Sequence, residues 1–280
     1  MAANLYPSPR PRSIGEVLDA AFVIFKATLP RCLPFGLLAM ITCQLQSIYD
    51  VATGRPLGSG DLKWWVFFVL GNLLSIALWS AVIVRQKAVL EGRLTSVASD
   101  LGEGLRQLPA VVAAMVLGGV AVACGLALLV IPGVYLMLAF LLAWPAILLS
   151  GKGPFGALRY SVQLISGSAL RVFTVFSVGL SMVLVFDLMM FLLVAVLLQF
   201  AGTGDLTVVT SYLPVVVIAL GAVTAPFLCA LGLALYGDLQ VRRELRLAGA
   251  AAPAMGEPAP VAPAAAVTVV ETSASGGQAS

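Results

Sequence analysis

One carboxylate, Asp187, lies alone in a long and largely apolar stretch of the sequence, residues 171–200. A carboxyl group in such surroundings is either neutral or paired, and it can exchange a proton or hold a cation. It can also serve structure alone, through a hydrogen bond to Asn72 or to a serine. Ser75 follows Asn72 by three residues and would share its face of a helix. Asp187, Asn72 and Ser75 therefore form a candidate polar site, and the functional and structural interpretations both stay open.

Three cations, Lys152, Arg159 and Arg171, lie in a segment that contains no acidic residue. Cations near a membrane surface attract anionic lipid headgroups, with about 1 kcal/mol for each cation. Contact with lipid headgroups is one interpretation of this segment. The alternative is that these cations only fix the orientation of the chain in a membrane.

A second charged cluster lies near the end of the apolar part of the chain and contains Tyr236, Asp238, Arg242 and Arg243. Asp238 and Arg242 are four residues apart, a spacing that allows an ion pair on one face of a helix. We expect Tyr236 at the level of the lipid headgroups, where tyrosine is enriched.

The residues that most enzymes and metal sites use are missing from this sequence. It contains no histidine, which removes the commonest general base and metal ligand. It has no glycine-rich phosphate loop and no acidic cluster suited to a divalent metal. The four cysteines form no CxxC pair and are expected to pack as small apolar residues: Cys32, Cys43, Cys124 and Cys229. We therefore expect no enzymatic activity, no cofactor and no metal, and no nucleic-acid binding, since no basic patch is interleaved with aromatics.

The composition indicates which elements must position these residues. Hydrophobic types make up 60% of the chain and charged types only 10%, whereas about a quarter of a soluble domain is charged. About 20 apolar residues in a helix cross the hydrocarbon core of a membrane. Six stretches meet this requirement, at roughly 32–48, 64–84, 109–131, 133–149, 171–200 and 212–236. The sequence predicts an all-α membrane protein with six transmembrane helices, the third and fourth joined by a tight turn at Pro132-Gly133.

The basic residues are distributed unevenly between the two sides of these six predicted spans. Only Arg55 and Lys63, of 16 lysines and arginines, fall on one side, and the other 14 fall on the opposite side. Because cytoplasmic segments carry the excess of basic residues, we expect both termini in the cytoplasm. A missed or additional helix would destroy this asymmetry, so the asymmetry supports the number of spans as well.

Three segments on the basic side are too polar to span a membrane but have helical periodicity: 13–29, 96–108 and 154–166. We expect amphipathic helices in the cytoplasmic interface, the alternative being an ordinary helix end or a loop helix packed on the bundle. Ser13 and Glu16 have the spacing of a capping box. Each segment precedes two spans, which suggests a faint threefold repeat. Residues 1–12 form a polar N-terminal segment, 13–246 the membrane domain, and 247–280 an Ala- and Pro-rich tail that we expect to be disordered in the cytoplasm.

Three stretches of the sequence together resemble a known family. They are SIGEVLDAAFVIFK at 13–26, IPGVYLMLAFLLAWPAILLSGKGPFGALRYSVQLISG at 131–167, and ALYGDLQVRREL at 234–245. They resemble the membrane domain that is fused to some bacterial glycerophosphoryl diester phosphodiesterases and that also has many stand-alone relatives. The resemblance covers about residues 12–246. Where the family often has an acidic residue before the Gly-x-Gly-Pro turn and an aromatic or polar residue after the tyrosine of the last motif, this chain has Ser150 and Gly237.

The resemblance implies a multi-pass protein of the bacterial inner membrane whose role is poorly defined. It does not imply phosphodiesterase activity, because that chemistry belongs to a separate soluble domain of the family. Three hypotheses follow for this chain. The first is a non-catalytic membrane domain that interacts with membrane lipids, anionic ones among them, or with a protein partner. The second is a transporter of a small solute or lipid-related molecule, and the third, with least support, is a lipid-active enzyme.

The topology prediction can be tested with a reporter that is active only in the periplasm. We expect signal when the reporter is fused after residue 57, and no signal when it is fused after residue 90, 152 or 246. Signal from the fusion at residue 152 would contradict the six-span topology.

Overall fold

The structure, a computed structural model, describes residues 10–56, 58, 60–93, 95–200 and 206–255. Within these residues it contains helices and no strand. The helices are α1 (Ile14–Cys43), α2 (Leu45–Ala52), α3 (Leu62–Leu90), α4 (Val97–Leu128), α5 (Val130–Leu141), α6 (Ala143–Ser150), α7 (Pro154–Ile165), α8 (Ala169–Phe200) and α9 (Leu206–Met255). The predicted all-α class is confirmed.

Six helical segments of the described chain are long and apolar enough to cross a membrane. They are Ile14–Cys43, Leu62–Leu90, Val97–Leu128, Pro132–Ser150, Ala169–Phe200 and Pro214–Ala248. Each overlaps one of the six predicted stretches, so the predicted number and order of spans are confirmed. The fourth span consists of most of α5 together with α6.

Two of the three predicted interfacial helices are wrong as separate elements. Segment 13–29 is the first half of α1, which continues through Pro30 and Pro34, and segment 96–108 is the start of α4, which continues through Pro109. The charges in segment 13–29 suggested a surface helix, but they occupy one side of α1 only. Lys26 is exposed, whereas Val17 and Ile24 are fully buried in the core. A helix can therefore carry charge and still pack into the bundle.

The start of α1 has the predicted capping box. The hydroxyl of Ser13 accepts the backbone N–H of Glu16 at 3.2 Å, and the carboxylate of Glu16 accepts the backbone N–H of Ser13 at 2.6 Å. Two backbone donors that the first turn leaves without helical partners are thus satisfied.

The third predicted segment is a separate helix, α7, with Pro154 in its first turn as expected. Its buried face consists of Ala157, Ser161, Leu164 and Ile165, which pack into the bundle, while Phe155 is 72% exposed. This is the packed alternative, and the depth of α7 in a membrane stays a prediction.

The turn between the third and fourth spans lies earlier than predicted. α4 ends at Leu128, Leu129 is extended with φ −159° and ψ 139°, and α5 begins at Val130. Pro132 falls in the first turn of α5, where the missing N–H has no helical partner to lose. Gly133 permits the close approach of the two helices, since a Cβ there would lie 2.6 Å from the backbone nitrogen of Leu126.

The fourth span is interrupted at Leu142, between α5 and α6. Pro145 accounts for the break, because it has no N–H to bond to the carbonyl four residues earlier. Beside this break, the hydroxyl of Ser161 in α7 donates to the carbonyl of Ala139.

The last span is tied to the first and second spans around Pro226. The proline leaves the carbonyl of Ala222 without its usual helical donor, and this carbonyl faces Gly36 so closely that a Cβ there would lie 2.9 Å from it. The buried amide of Gln86 donates to the carbonyl of Pro226 at 2.9 Å. Gly36 of α1 thus leaves space for the carbonyl of Ala222, and Gln86 of α3 donates a hydrogen bond to the carbonyl of Pro226.

The chain divides into two compact units, Met1–Arg243 and Glu244–Ser280. α9 continues past the predicted end of the membrane domain to Met255, so the first residues of the predicted tail are helical. Residues 256–280 of that tail, and residues 1–9 of the predicted N-terminal segment, lie outside the described residues.

Candidate functional site at the basic end of the bundle

A buried carboxylate, Asp238, joins three separate parts of the chain. Its side chain is fully buried in the second half of α9. One oxygen, Oδ1, accepts the backbone N–H of Arg12 at 2.7 Å. The other, Oδ2, accepts Nε of Arg171 at 3.2 Å and Nε of Arg242 at 2.9 Å. The predicted ion pair between Asp238 and Arg242 is confirmed, and Arg171 of α8 is its unpredicted third member.

The backbone carbonyl of Arg12 completes this cluster. It accepts an N–H from Arg242 at 2.7 Å and another from Arg171. Burial lowers the pKa of the Arg12 guanidinium, and the nearby charge of Asp238 opposes that shift. The guanidinium nevertheless stays protonated at neutral pH, because arginine is not deprotonated in proteins. We call Arg12, Arg171, Asp238 and Arg242 the Asp238 cluster.

The stretches that carry the family resemblance meet at this end of the bundle. The hydroxyls of Ser150 and Tyr236 lie 2.6 Å apart, and Arg243 donates to the side chain of Gln163 at 3.2 Å. These contacts join the middle stretch to the last one. The Asp238 cluster then joins the last stretch to Arg12, which directly precedes the first. Tyr236 is fully buried, so its hydroxyl serves a helix contact.

The three predicted headgroup cations occupy different environments. The expectation that Arg171 has no acidic neighbour is wrong, because Asp238, which is distant in the sequence, lies beside it in the fold. Lys152 lies with Nζ 4.6 Å from the ring centre of Tyr160, and Cζ of Arg243 lies 4.9 Å from the same ring. Arg159, on the same helix as Tyr160, is exposed. We call Lys152, Arg159, Tyr160 and Arg243 the Tyr160 surface.

A second buried carboxylate, Asp100, was not predicted from the sequence. One of its oxygens, Oδ2, accepts Nε of Arg85 and the hydroxyl of Thr95, the latter at 3.0 Å. Arg85 also donates to the carbonyls of Arg31, at 3.4 Å, and Thr95, at 3.2 Å. The contact with Arg31 places the end of α3 beside the middle of α1. The available signal was an acid in the first turn of a helix capped by Ser96.

The predicted polar site of Asp187, Asn72 and Ser75 is not assembled. Among the described residues, no hydrogen bond links Asp187 to Asn72 or Ser75, and the amide of Asn72 donates to the carbonyl of Phe68 in its own helix at 2.8 Å. The side chain of Asp187 instead lies near Thr224 of α9. The prediction named the wrong neighbour because depth in a span does not reveal which helices are adjacent.

Asp187 lies beside an apolar cavity of about 320 Å³ between α1, α8 and α9. Thr224 lines this cavity together with Phe22, Phe186 and Phe227. The second oxygen of Asp187, Oδ1, is buried and has no hydrogen-bond partner among the described residues.

The opposite end of the bundle has its own buried acid, Asp50, which was also missed. Its carboxylate accepts the backbone N–H of Gly58 at 2.7 Å and the indole N–H of Trp64 at 3.1 Å. Asp61 caps α3 by accepting the backbone N–H of Trp64, and this bond, helped by Arg55, lowers the pKa of Asp61. These contacts fix the connection between the first two spans. They include the pair of Asp61 with Arg55, which is one of the two cations on the side opposite the basic end.

We expect Asp238→Asn to reduce the stability of the purified protein by about 1–3 kcal/mol, because Arg171 and Arg242 lose the charge that they face. Asparagine keeps an oxygen that can accept the N–H of Arg12, so the loss reports mainly on charge. Thermal unfolding in detergent measures the effect. The control is Glu103→Gln, which breaks a surface pair with Arg106 and should cost less than about 1 kcal/mol. Equal losses in both variants would contradict a central role for Asp238.

Comparison with protein-family models, with curated proteins and with solved structures returns no match to this chain. The resemblance to the phosphodiesterase-associated membrane domain therefore stays a prediction from three motifs. What supports a function is the chemistry of the site itself.

Proposed function

We propose that this chain is a non-catalytic domain of the bacterial cytoplasmic membrane that binds anionic phospholipid headgroups at its basic end. The observation that carries the proposal is the Tyr160 surface. There two cations, Lys152 from the connection between α6 and α7 and Arg243 from α9, lie within 5 Å of the Tyr160 ring. The exposed Arg159 precedes Tyr160 on α7. The resemblance to a bacterial inner-membrane family and the six apolar helices support a location in the cytoplasmic membrane.

The charge at the Tyr160 surface differs from the charge in the Asp238 cluster. Arg171 and Arg242 face a buried carboxylate, which offsets part of their charge within the protein. Lys152 contacts the ring of Tyr160 and Arg159 is exposed, and neither forms an ion pair among the described residues, so their charge is directed to the outside. A tyrosine side chain close to cations suits the boundary between the lipid headgroups and the hydrocarbon core. Its ring is apolar and can contact cations, and its hydroxyl is polar.

The proposed orientation of the chain in the membrane rests on the distribution of charge together with the contacts at the basic end of the bundle. The Asp238 cluster brings Arg12, Arg171 and Arg242 together, and the bond from Arg85 to the carbonyl of Arg31 joins two further basic segments. These segments belong to the side that carries 14 of the 16 cations. The positive-inside rule then supports a cytoplasmic location for this end and for both termini.

The non-catalytic part of the proposal rests on how the buried polar groups are engaged. The carboxylates of Asp100 and Asp238 are buried and form ion pairs with arginines of neighbouring helices. The hydroxyls of Tyr236 and Ser150 bond to each other. These groups hold helices together instead of facing a reacting centre.

Lipid retention measured by native mass spectrometry tests the proposal. The double variant Lys152→Gln with Arg159→Gln should retain phosphatidylglycerol roughly tenfold less than the unmodified protein, since two surface cations are lost. The matched control is Lys63→Gln, an exposed lysine at the opposite end, which should leave retention unchanged. Equal phosphatidylglycerol retention in the double variant and the unmodified protein would overturn the proposal.

A specific observation favours transport as the second candidate function. Asp187 has a buried oxygen without a described partner and lies beside an apolar cavity. The hydroxyl of Thr224, which lines this cavity, donates to the carbonyl of Leu220 at 3.0 Å.

The change Asp187→Asn separates a structural role from a transport role. On the structural interpretation it should leave both thermal stability and cellular function nearly unchanged, because the amide can still bond to Thr224. Asp187→Leu should cost about 0.6–2 kcal/mol, the range for a bond between membrane helices. The measurements are thermal unfolding in detergent and complementation of a deletion strain. A stable but inactive Asp187→Asn protein would favour the transporter.

A further inference from the structure

A polar pocket of about 340 Å³ lies at the basic end, separate from the Tyr160 surface. It is bounded by the end of α3, the start of α4 and the end of α6. Its polar lining contains three cations, two acids and two hydroxyls: Lys87, Arg93, Arg106, Asp100, Glu103, Thr95 and Ser99. Its apolar side consists of Val84, Ala88, Leu148 and Leu149. A pocket of this size with one polar and one apolar side fits part of an amphipathic molecule.

The carboxylate of Asp100 supplies the observation that points to a ligand. The side chain is 1% exposed and lines the pocket. Its Oδ2 is engaged by Arg85 and Thr95, but its Oδ1 is buried and has no hydrogen-bond partner among the described residues. A buried carboxylate oxygen without a donor is costly. The missing partner is therefore an N–H or O–H donor, and an ammonium group is the best match for a negative charge.

The cations on the pocket wall supply the opposite charge. Glu91 is shared by Lys87, at 3.9 Å, and by Arg93, so two cations face one acid. Arg106 pairs with Glu103 at 2.8 Å and is largely exposed. Surface pairs of this kind contribute little to stability, so they can rearrange around an anion. The hydroxyl of Ser99 and the first turn of α4 add donors suited to a phosphate.

We propose that this pocket binds the headgroup of an aminophospholipid, a phosphodiester that carries a primary ammonium group. The ammonium donates to Oδ1 of Asp100, and the phosphate lies against Lys87 and Arg93. The glycerol and the first carbons of the acyl chains lie along Val84, Leu148 and Leu149, which favours a lipid over a free water-soluble phosphoamine. This proposal rests on lipid binding as the function of the domain, but it concerns a zwitterionic headgroup and a different surface.

Three headgroups distinguish the chemistry when native mass spectrometry is applied to the intact chain in detergent. Phosphatidylethanolamine should be retained roughly tenfold more than phosphatidylcholine, since the trimethylated amine has no N–H to donate to Asp100. Phosphatidylglycerol lacks the amine and should also be retained less at this pocket. Soluble phosphoethanolamine, added at the same concentration, should compete poorly. Equal retention of phosphatidylethanolamine and phosphatidylcholine overturns the proposal, and so does equal binding of soluble phosphoethanolamine.

Two variants assign the effect to the pocket. Lys87→Gln should lower phosphatidylethanolamine retention roughly fivefold by removing one phosphate contact, while Lys63→Gln should change nothing. Asp100→Asn should bring the preference for ethanolamine over choline close to unity in protein that stays monodisperse. If Asp100→Asn fails to fold, Lys87→Gln decides, and its unchanged retention would overturn the pocket assignment. Phosphatidylglycerol retention by the Lys152→Gln, Arg159→Gln variant is a separate readout, so the two lipid proposals can fail independently.

Discussion

The burial of Asp238 is the constraint on which the basic end of this bundle depends. A carboxylate removed from water is destabilising unless charges and hydrogen bonds compensate it. Here the compensation comes from the backbone of Arg12, from Arg171 at the start of α8, and from Arg242 one helical turn away on α9. These groups are far apart in the sequence. The start of the first span, the fifth span and the sixth span must therefore meet in one register at one end.

Two other buried acids follow the same principle at other connections. Asp100 holds the start of α4 against Arg85 at the end of α3, and Asp50 holds the connection between the first two spans through Gly58 and Trp64. Apolar helices in a membrane have little hydrophobic reason to choose one neighbour over another. Buried acids at the helix ends supply that choice, and close contacts at glycines such as Gly36 supply it in the interior. Asp187 is different, because it lies within an apolar span and lies near a threonine of α9, not an arginine.

The sequence predicted the features that depend on local properties of the chain. Apolar composition over about 20 residues identified all six spans, and four-residue spacing identified the pair of Asp238 with Arg242. The features that were wrong depend on contacts between distant segments. Arg171 lacks an acid within its own segment, so only the fold could reveal Asp238 beside it. Segment 13–29 has the charges of a surface helix, and only the packing shows that its opposite face is buried as part of α1. Likewise, Pro132 predicted a turn, but proline is compatible with the first turn of a helix, and the chain turns at Leu129 instead.

The structure also separates two roles of the basic residues. Some of them pair with acids inside the protein, and others carry charge on its surface. The positive-inside rule counts cations without regard to their neighbours, so it treats Arg171 and Lys152 as equal. In the fold, Arg85 pairs with Asp100, while Arg171 and Arg242 share Asp238, so buried acids offset part of the charge of these three arginines. Lys152 and Arg159 lie outside these clusters, and Lys87 shares one acid with Arg93. The second group directs its positive charge toward the surroundings. The balance of each cation with its neighbours, more than the total number of cations, therefore decides where lipid headgroups are expected to bind.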